Sequence, residues 1–329
     1  MAFGRTELLF QSDINEQGYA DANGSFSDLY VKHWVSGEVE LISADPTGAQ
    51  SDGYMSMASF SSDGRFVVFS SSASNLTDDN PAHFYNLFLR DRTLGTTRRL
   101  TFPPGGGEFA SSPYFTSRPV ITSDNRQVVF SAAGVPFTEE DVPPYGGIYE
   151  IELASGAIRS IPRTTSGELP NAPVGRPALS ADGRFLAFLS SATNLTAEPG
   201  PVPAVFVQDR RTGETISVSA PLGTPPDPFA PAIAISADGS TVAFEWPQWN
   251  ATWPTLLDSQ QVYTVRLWET APVVAPTAVP LGTAPALLLL AAGLAGVAWS
   301  TSRRRPGIAA LRVRRGVPRE MARRQAARR

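Results

Sequence analysis

Along residues 1–270 apolar side chains come in short runs bounded by Gly, Asp, Asn and Ser, and the runs recur at a fixed distance. The stretch SSDGRFVVFSSSASNL from Ser61 and SADGRFLAFLSSATNL from Ser180 share 11 of 16 positions. Weaker copies are TSDNRQVVFS from Thr122 and SADGSTVAFE from Ser236. Their turn aspartates Asp63, Asp124, Asp182 and Asp238 are spaced 61, 58 and 56 residues apart. A second motif trails the first: LYVKHWVSG from Leu29, LFLRDRTLG from Leu87, IYEIELASG from Ile148 and VFVQDRRTG from Val205. Its glycines Gly37, Gly95, Gly156 and Gly213 are spaced 58, 61 and 57 apart, so two ladders keep one register. Repeats of this length mark arrays in which neighbouring units cover one another.

Each unit predicts four strands. An apolar strand ends at the Ser before Asp-Gly, and Gly64, Gly183 and Gly239 supply the φ > 0 that a tight hairpin turn needs. The next strand is rich in β-branched and aromatic residues, as in Phe66-Val67-Val68-Phe69. A longer connection leads to a third strand, and the second-ladder glycine turns the chain into a fourth. No window of residues 1–270 carries an apolar stripe of helical period. Four-stranded units repeating radially describe an all-β propeller of about five blades, near 1–43, 55–101, 117–162, 175–219 and 230–270. A β-sandwich or a linear solenoid is the competing architecture; sandwiches seldom keep such strict ladders and solenoid coils are shorter.

The pattern S-x-D-G-R followed by an apolar strand, then F-V-x-D-R-x-T-G-x-T, resembles the TolB-like, WD-repeat-like propeller family of bacterial envelope proteins over about residues 5–270. The resemblance implies a binding scaffold. Related blades also form the lid of prolyl-oligopeptidase-type enzymes, but the chain has no G-x-S-x-G elbow.

The array is ragged at both ends. Counting back from Gly37 places the first turn near Arg5, so the first unit is expected to lack its first strand. That strand and an export signal would lie upstream of Met1, since residues 1–20 hold Arg5, Glu7, Asp13 and Glu16 and no apolar run. Counting forward from Asp238 reaches Thr270, where no glycine stands, and Pro272, Pro276 and Pro280 follow. The last unit is therefore expected to lack its fourth strand, with 271–284 a stiff Pro-rich linker.

Charge changes the picture for the rest of the chain. The net charge of −4 divides into 16 basic and 30 acidic residues before position 273, a balance of −14, and 11 arginines and one acid after it, +10. No charge stands between Glu269 and Arg303. Pro285 suits the first position of a helix. Residues 285–302, with Leu287, Leu290 and Trp299, are apolar on every face and would extend about 27 Å against a hydrocarbon core of about 30 Å. Arg303, Arg304 and Arg305 close the stretch. A transmembrane helix is the reading preferred over a buried core helix, with the basic tail 303–329 cytoplasmic and the repeat region extracytoplasmic, at the cell envelope or surface. Val279-Pro280-Leu281, the apolar helix and the Arg cluster also resemble a PEP-CTERM sorting segment of the Val-Pro-Leu-Pro-Ala variant. That resemblance implies processing by an exosortase-type enzyme, although Gly282 replaces a proline and the chain runs on to Arg329. Beside an apolar span, the tail arginines favour anionic lipid over nucleic acid.

Candidate chemistry is sparse. There is no cysteine, and the two histidines, His33 and His83, fall in different repeat contexts. Asp13, Asn15, Asp21, Asn23 and Asp28 gather hard oxygen donors of the kind calcium takes, though Asp-Asn-Gly is also ordinary turn chemistry and no bidentate Glu follows. Asp91-Arg92 and Asp209-Arg210 occupy equivalent turns, which favours a structural role. Asn75 and Asn194 head N-x-T triplets at repeat positions, where bonding to local backbone outweighs a glycosylation reading. Glu139, Glu140 and Asp141 read as a solvated loop, and Trp246, Trp249 and Trp253 as either an aromatic platform or packing. These readings converge on a non-enzymatic, membrane-anchored scaffold binding a protein or polysaccharide. The alternative is a propeller hydrolase or lyase with its site at the central channel, which would need a paired acid and base there.

Overall fold

The computed structural model describes residues 7–13, 22–24, 26–140, 146–223, 232–247, 260–267 and 277–279. The chain is all-β in these residues; the helical content is one 3-10 turn at Ala220–Leu222. Five antiparallel sheets follow one another along the sequence. The first holds β1 (Glu7–Ser12), β2 (Asp28–His33) and β3 (Val39–Leu41), and the second β4 (Met55–Phe60), β5 (Phe66–Ser71), β6 (Asn86–Asp91) and β7 (Thr96–Arg99). The third holds β8 (Tyr114–Phe115), β9 (Val120–Ile121), β10 (Gln127–Ala133), β11 (Gly147–Glu152) and β12 (Ile158–Ile161). The fourth is β13 (Val174–Leu179), β14 (Phe185–Ser190), β15 (Ala204–Asp209) and β16 (Thr215–Ser217); the fifth is β17 (Ile233–Ile235), β18 (Thr241–Pro247), β19 (Gln260–Arg266) and β20 (Thr277–Val279).

Every sheet is a meander in chain order. β8 and β9 both pair with β10, so together they are one inner strand interrupted between Phe115 and Val120. Strands of successive sheets pack side by side: β1 beside β4, β4 beside β9, β10 beside β13 and β13 beside β17. Near their ends the equivalent turns are hydrogen-bonded in series, Ser62 Oγ to the Ser123 carbonyl at 3.3 Å, Ser123 N to Ala181 O and Ala181 N to Ala237 O, both at 2.9 Å. This radial stacking is the arrangement of propeller blades.

Packing follows from period-2 alternation with both faces buried. On β5, Val67 and Phe69 meet the first sheet in a cluster with Leu29, Val31 and Ile42, while Val68 meets the third sheet with Val128 and Phe130. On β14, Leu186 and Phe188 pack on the third sheet and Phe185 and Ala187 on the fifth. A strand covered on both sides reads as a nearly continuous apolar run rather than a clean alternation.

One expectation is corrected. The fifth sheet has a fourth strand: Val262, Tyr263 and Thr264 of β19 pair with Val279, Ala278 and Thr277 of β20, inside the stretch read as a linker. Pro276 and Pro280 bound a tripeptide that needs no proline N–H, which suits a short edge strand. The first sheet has three strands among the described residues, and β1 pairs with β2 as β5 does with β6. Residues 285–302, with Pro285, Leu287, Leu290 and Trp299, and Arg303, Arg304 and Arg305 lie outside the described residues. Among the described residues no helix is long and apolar enough to cross a membrane.

Candidate functional site

The repeat motifs explain themselves at the turns. Ser61 Oγ donates to Asp63 Oδ1 at 2.6 Å and accepts from Phe66 N at 2.9 Å, while Asp63 Oδ1 accepts from Arg65 N at 3.1 Å. Thr122 with Asp124, Ser180 with Asp182 and Ser236 with Asp238 repeat the arrangement at 2.6–2.7 Å. Gly64, Gly183 and Gly239 hold φ of +74°, +71° and +70°. At the third turn Asn125 takes the glycine's place at φ +57° and donates to Asp63 Oδ2 at 2.7 Å, tying two turns together. Asn tolerates the left-handed region better than most side chains. Gly95, Gly156 and Gly213 close the outer hairpins at φ of +66°, +74° and +79°.

The Asp-Arg dipeptides split their labour. Asp91 binds Arg65 of its own sheet at 2.6 Å and Asp209 binds Arg184 at 2.5 Å. Arg65 is the main influence holding Asp91 below the usual carboxylate value. Burial would raise Asp209, but Arg184 and the Arg211 N–H bring it down. The adjacent arginines reach into the preceding sheet. Arg92 meets Glu40 at 2.6 Å and Glu7 at 2.9 Å and donates to the Gly64 carbonyl at 2.8 Å. Arg210 donates to the Gly183 carbonyl at 2.7 Å and pairs with the buried Glu150, which Arg159 also holds at 2.5 Å. The third and fifth sheets carry Leu153 and Leu267 at the equivalent place, each packed in an inter-sheet apolar cluster.

Asn75 and Asn194 bond backbone in parallel ways. Asn75 accepts from Asp52 N and donates to Gln50 O; Asn194 accepts from Asn171 N and donates to Leu169 O, all at 2.9–3.0 Å. Of the oxygen donors considered for calcium, Asp13 is exposed, and Asn15 and Asp21 lie outside the described residues. Asn23 and Asp28 do meet, but as hydrogen-bond partners at 2.9 Å. The buried Asp28 carboxylate also accepts from Ser43 Oγ at 2.7 Å and Ser51 Oγ at 2.9 Å. Among the described residues no group of His, Asp and Glu is gathered to hold a metal. His33 lies 3.3 Å from Glu7, and His83 stands on a separate loop. Trp246 is no surface platform: it is 2% exposed, packed with Phe244 and Tyr263 between the fourth and fifth sheets. Trp249, Trp253 and Asp141 lie outside the described residues.

Between the third and fourth sheets lies a cavity of about 510 Å³. Ile148, Ile161, Pro170, Ala172 and Val174 form its apolar wall. At its rim Ser160 is 3.1 Å from Thr138, Asn171 donates to Thr193 Oγ1 at 2.9 Å, and Glu140 is paired with Arg163. This is the composition of a binding pocket, a mostly apolar wall with a few polar groups. Among the described residues, Ser160 and Glu140 at the rim are partnered by Thr138 and Arg163 rather than by one another. The sequence gives no period or motif for this cavity, because its wall comes from the irregular entry to β13.

The comparisons with known proteins concern architecture. No family model matches the chain, and no curated protein matches it. Among solved structures, TolB from Acinetobacter baumannii is similar at 18% identity and a TM-score of 0.44, over 73% of this chain and 46% of that one. The β-propeller domain of the Trilobed protease from Pyrococcus furiosus gives 13% and 0.39, over 67% and 56%, and the tricorn protease 12% and 0.41, over 74% and 23%. The chain thus spans about half or less of these proteins. At such scores the fold description stands on the chain's own sheets.

Proposed function

We propose that the protein is a non-enzymatic scaffold, membrane-anchored through residues 285–302, whose extracytoplasmic sheet array binds a protein or polysaccharide partner. The observation that carries this reading is the employment of the recurrent ionisable groups. The turn aspartates cap backbone N–H groups, Asp91 and Asp209 bind arginines, and Arg92 and Arg210 tie sheets together. A channel-centred hydrolase or lyase would draw on these acids, and a general base occupied by a guanidinium is poorly placed to take a proton. The division of charge into −14 and +10 around an uncharged stretch supports the anchored topology, and the sorting-segment resemblance adds an exosortase-type enzyme as a processing partner.

Carbonate washing and protease shaving of cells that make the full chain test the reading. Peptides of 26–140 and 146–223 should be released by shaving while the chain stays with the membrane pellet. Release of the intact chain by carbonate would overturn the anchor. Mature surface protein that still yields peptides from 303–329 would overturn the processing.

A further inference from the structure

Sheets two to five place strongly uneven charge about their inner strands. The repeat region is acidic overall, yet β4, β8, β9, β13 and β17 contain no Asp or Glu. What they and their breaks contain instead is Arg118 and Arg176. Each stands six residues before its turn aspartate, Asp124 or Asp182, and each is followed by proline, Pro119 or Pro177. Both side chains are exposed, and among the described residues neither pairs with an acidic group.

Local backbone explains the exposure. In β13 the register with β14 shifts between Gly175 and Ala178, and Arg176 sits in the left-handed region at φ +55°. Arg118 occupies the interruption between β8 and β9. At the same position β4 has Met57, φ +48°, inside its own register shift. Non-glycine residues kept in that region persist only where their surroundings enforce it, and they concentrate at functional sites. The residues that flank these points pair with β10 or β14 on the outer edge, Phe115 and Val120 around Arg118 and Gly175 and Ala178 around Arg176. The edge of each inner strand opposite that pairing faces the axis of the array. Tyr114, 71% exposed, lies on the same inner strand as Arg118.

We infer that Arg118 and Arg176 form an anion-binding site on the axial side of the third and fourth sheets, and that its ligand is an acidic, carboxylate-bearing polysaccharide. Guanidinium groups suit bidentate capture of carboxylates. The polysaccharide is favoured over an acidic peptide by the edge itself. A peptide would gain affinity by adding a strand, but Pro119 and Pro177 remove ladder N–H groups where the charges are, and the strands are broken there. The exposed Tyr114, four residues before Arg118 on the same interrupted strand, offers a ring to a sugar. This inference rests on the scaffold reading and names its ligand class.

The test uses full-length protein in detergent, with a short oligomannuronate, its carboxyl-reduced counterpart and a short polyglutamate as probes in calorimetric titration. The acidic oligosaccharide should bind, more weakly as salt rises, and the reduced one should not. R118Q and R176Q should each weaken binding about tenfold, and the double variant should abolish it. R118K and R176K should recover part of the loss. R126Q removes an arginine exposed at the turn and should bind as wild type, and circular dichroism checks that each variant folds. No binding by wild type, unchanged binding by the double variant, or an equal loss in R126Q would overturn the site. Polyglutamate bound as tightly, with the same arginine dependence, would overturn the polysaccharide. Arginine-dependent cleavage of the oligomer, read from its products, would uphold the site and overturn the non-enzymatic reading.

Discussion

Arg92→Ala should loosen the first sheet before the rest. The Arg92 guanidinium, 12% exposed, donates to Glu40 at 2.6 and 2.8 Å, to Glu7 at 2.9 and 3.2 Å and to the Gly64 carbonyl at 2.8 Å. Glu7 and Glu40 are 15% and 32% exposed, so their charges are neither free in water nor fully buried. Breaking a buried pair costs about 3–5 kcal/mol and an exposed one about 0–1. A loss of about 2–3 kcal/mol is expected between those limits, since Glu7 keeps His33 and water reaches Glu40. For a domain of this size that corresponds to a fall in Tm of about 4–10 °C. Hydrogen exchange read by mass spectrometry on the full chain in detergent should show the amides of β1, β2 and β3 exchanging faster, while β14 and β15 keep their protection. The combined variant R92L/E7Q/E40Q supplies the apolar contact that Leu153 and Leu267 make and removes both charges, and it should return to within about 1 kcal/mol of wild type. A fall of under about 1 °C for R92A would refute the reasoning. So would faster exchange spread evenly over all sheets.

Three further outcomes are expected. Asp45, Asp52, Asp63, Asp124, Asp91 and Asp209 all have folded pKa values below the ordinary 3.8. The unfolded chain therefore takes up more protons in acid, so stability is complete above pH about 4 and falls as pH drops through the folded values; urea midpoints that rise between pH 4 and pH 3 would contradict this. Gly95 and Gly239 share a positive φ, but a Cβ at Gly95 meets nothing within 4 Å while one at Gly239 would lie 2.5 Å from a Phe185 ring carbon. G95A should cost about 1–2 kcal/mol and G239A clearly more in urea unfolding, because only the second adds overlap to the backbone penalty. Trp246→Ala should cost about 3–5 kcal/mol through the cavity it opens between the fourth and fifth sheets; a thermal shift typical of a surface substitution would return Trp246 to the surface.

The repeat ladders made the array legible because each motif position has one local job. Ser, Asp and Gly at a turn satisfy one another and their own backbone, so their spacing survives in sequence. The inter-sheet contacts do not write themselves that way. Arg92 depends on Glu7 and Glu40, 85 and 52 residues away, and nothing in its local pattern distinguishes an arginine that binds the preceding sheet from one facing water. β20 was hidden for a different reason. Three residues between prolines are too short for a period, and only the free edge of β19 gives them a partner. Oxygen-rich turns and calcium loops share a vocabulary, so Asn23 and Asp28 do not separate the two in sequence, and the Ser43 and Ser51 hydroxyls that donate to Asp28 come from 15 and 23 residues away.

Coupling between sheets is also uneven, and the unevenness is periodic. Ionic ties join the second sheet to the first and the fourth to the third, while Leu153 and Leu267 mark apolar junctions of the third with the second and the fifth with the fourth. The acidic groups recruited for the ties sit on β1, β3 and β11, away from the inner strands of sheets two to five. Those inner strands hold no Asp or Glu, so among the described residues a cation placed there has no acidic partner. Arg118 and Arg176 are the cations so placed. That neither pairs with an acid among the described residues follows from where the array places its acids, and the proposed carboxylate ligand would supply that partner.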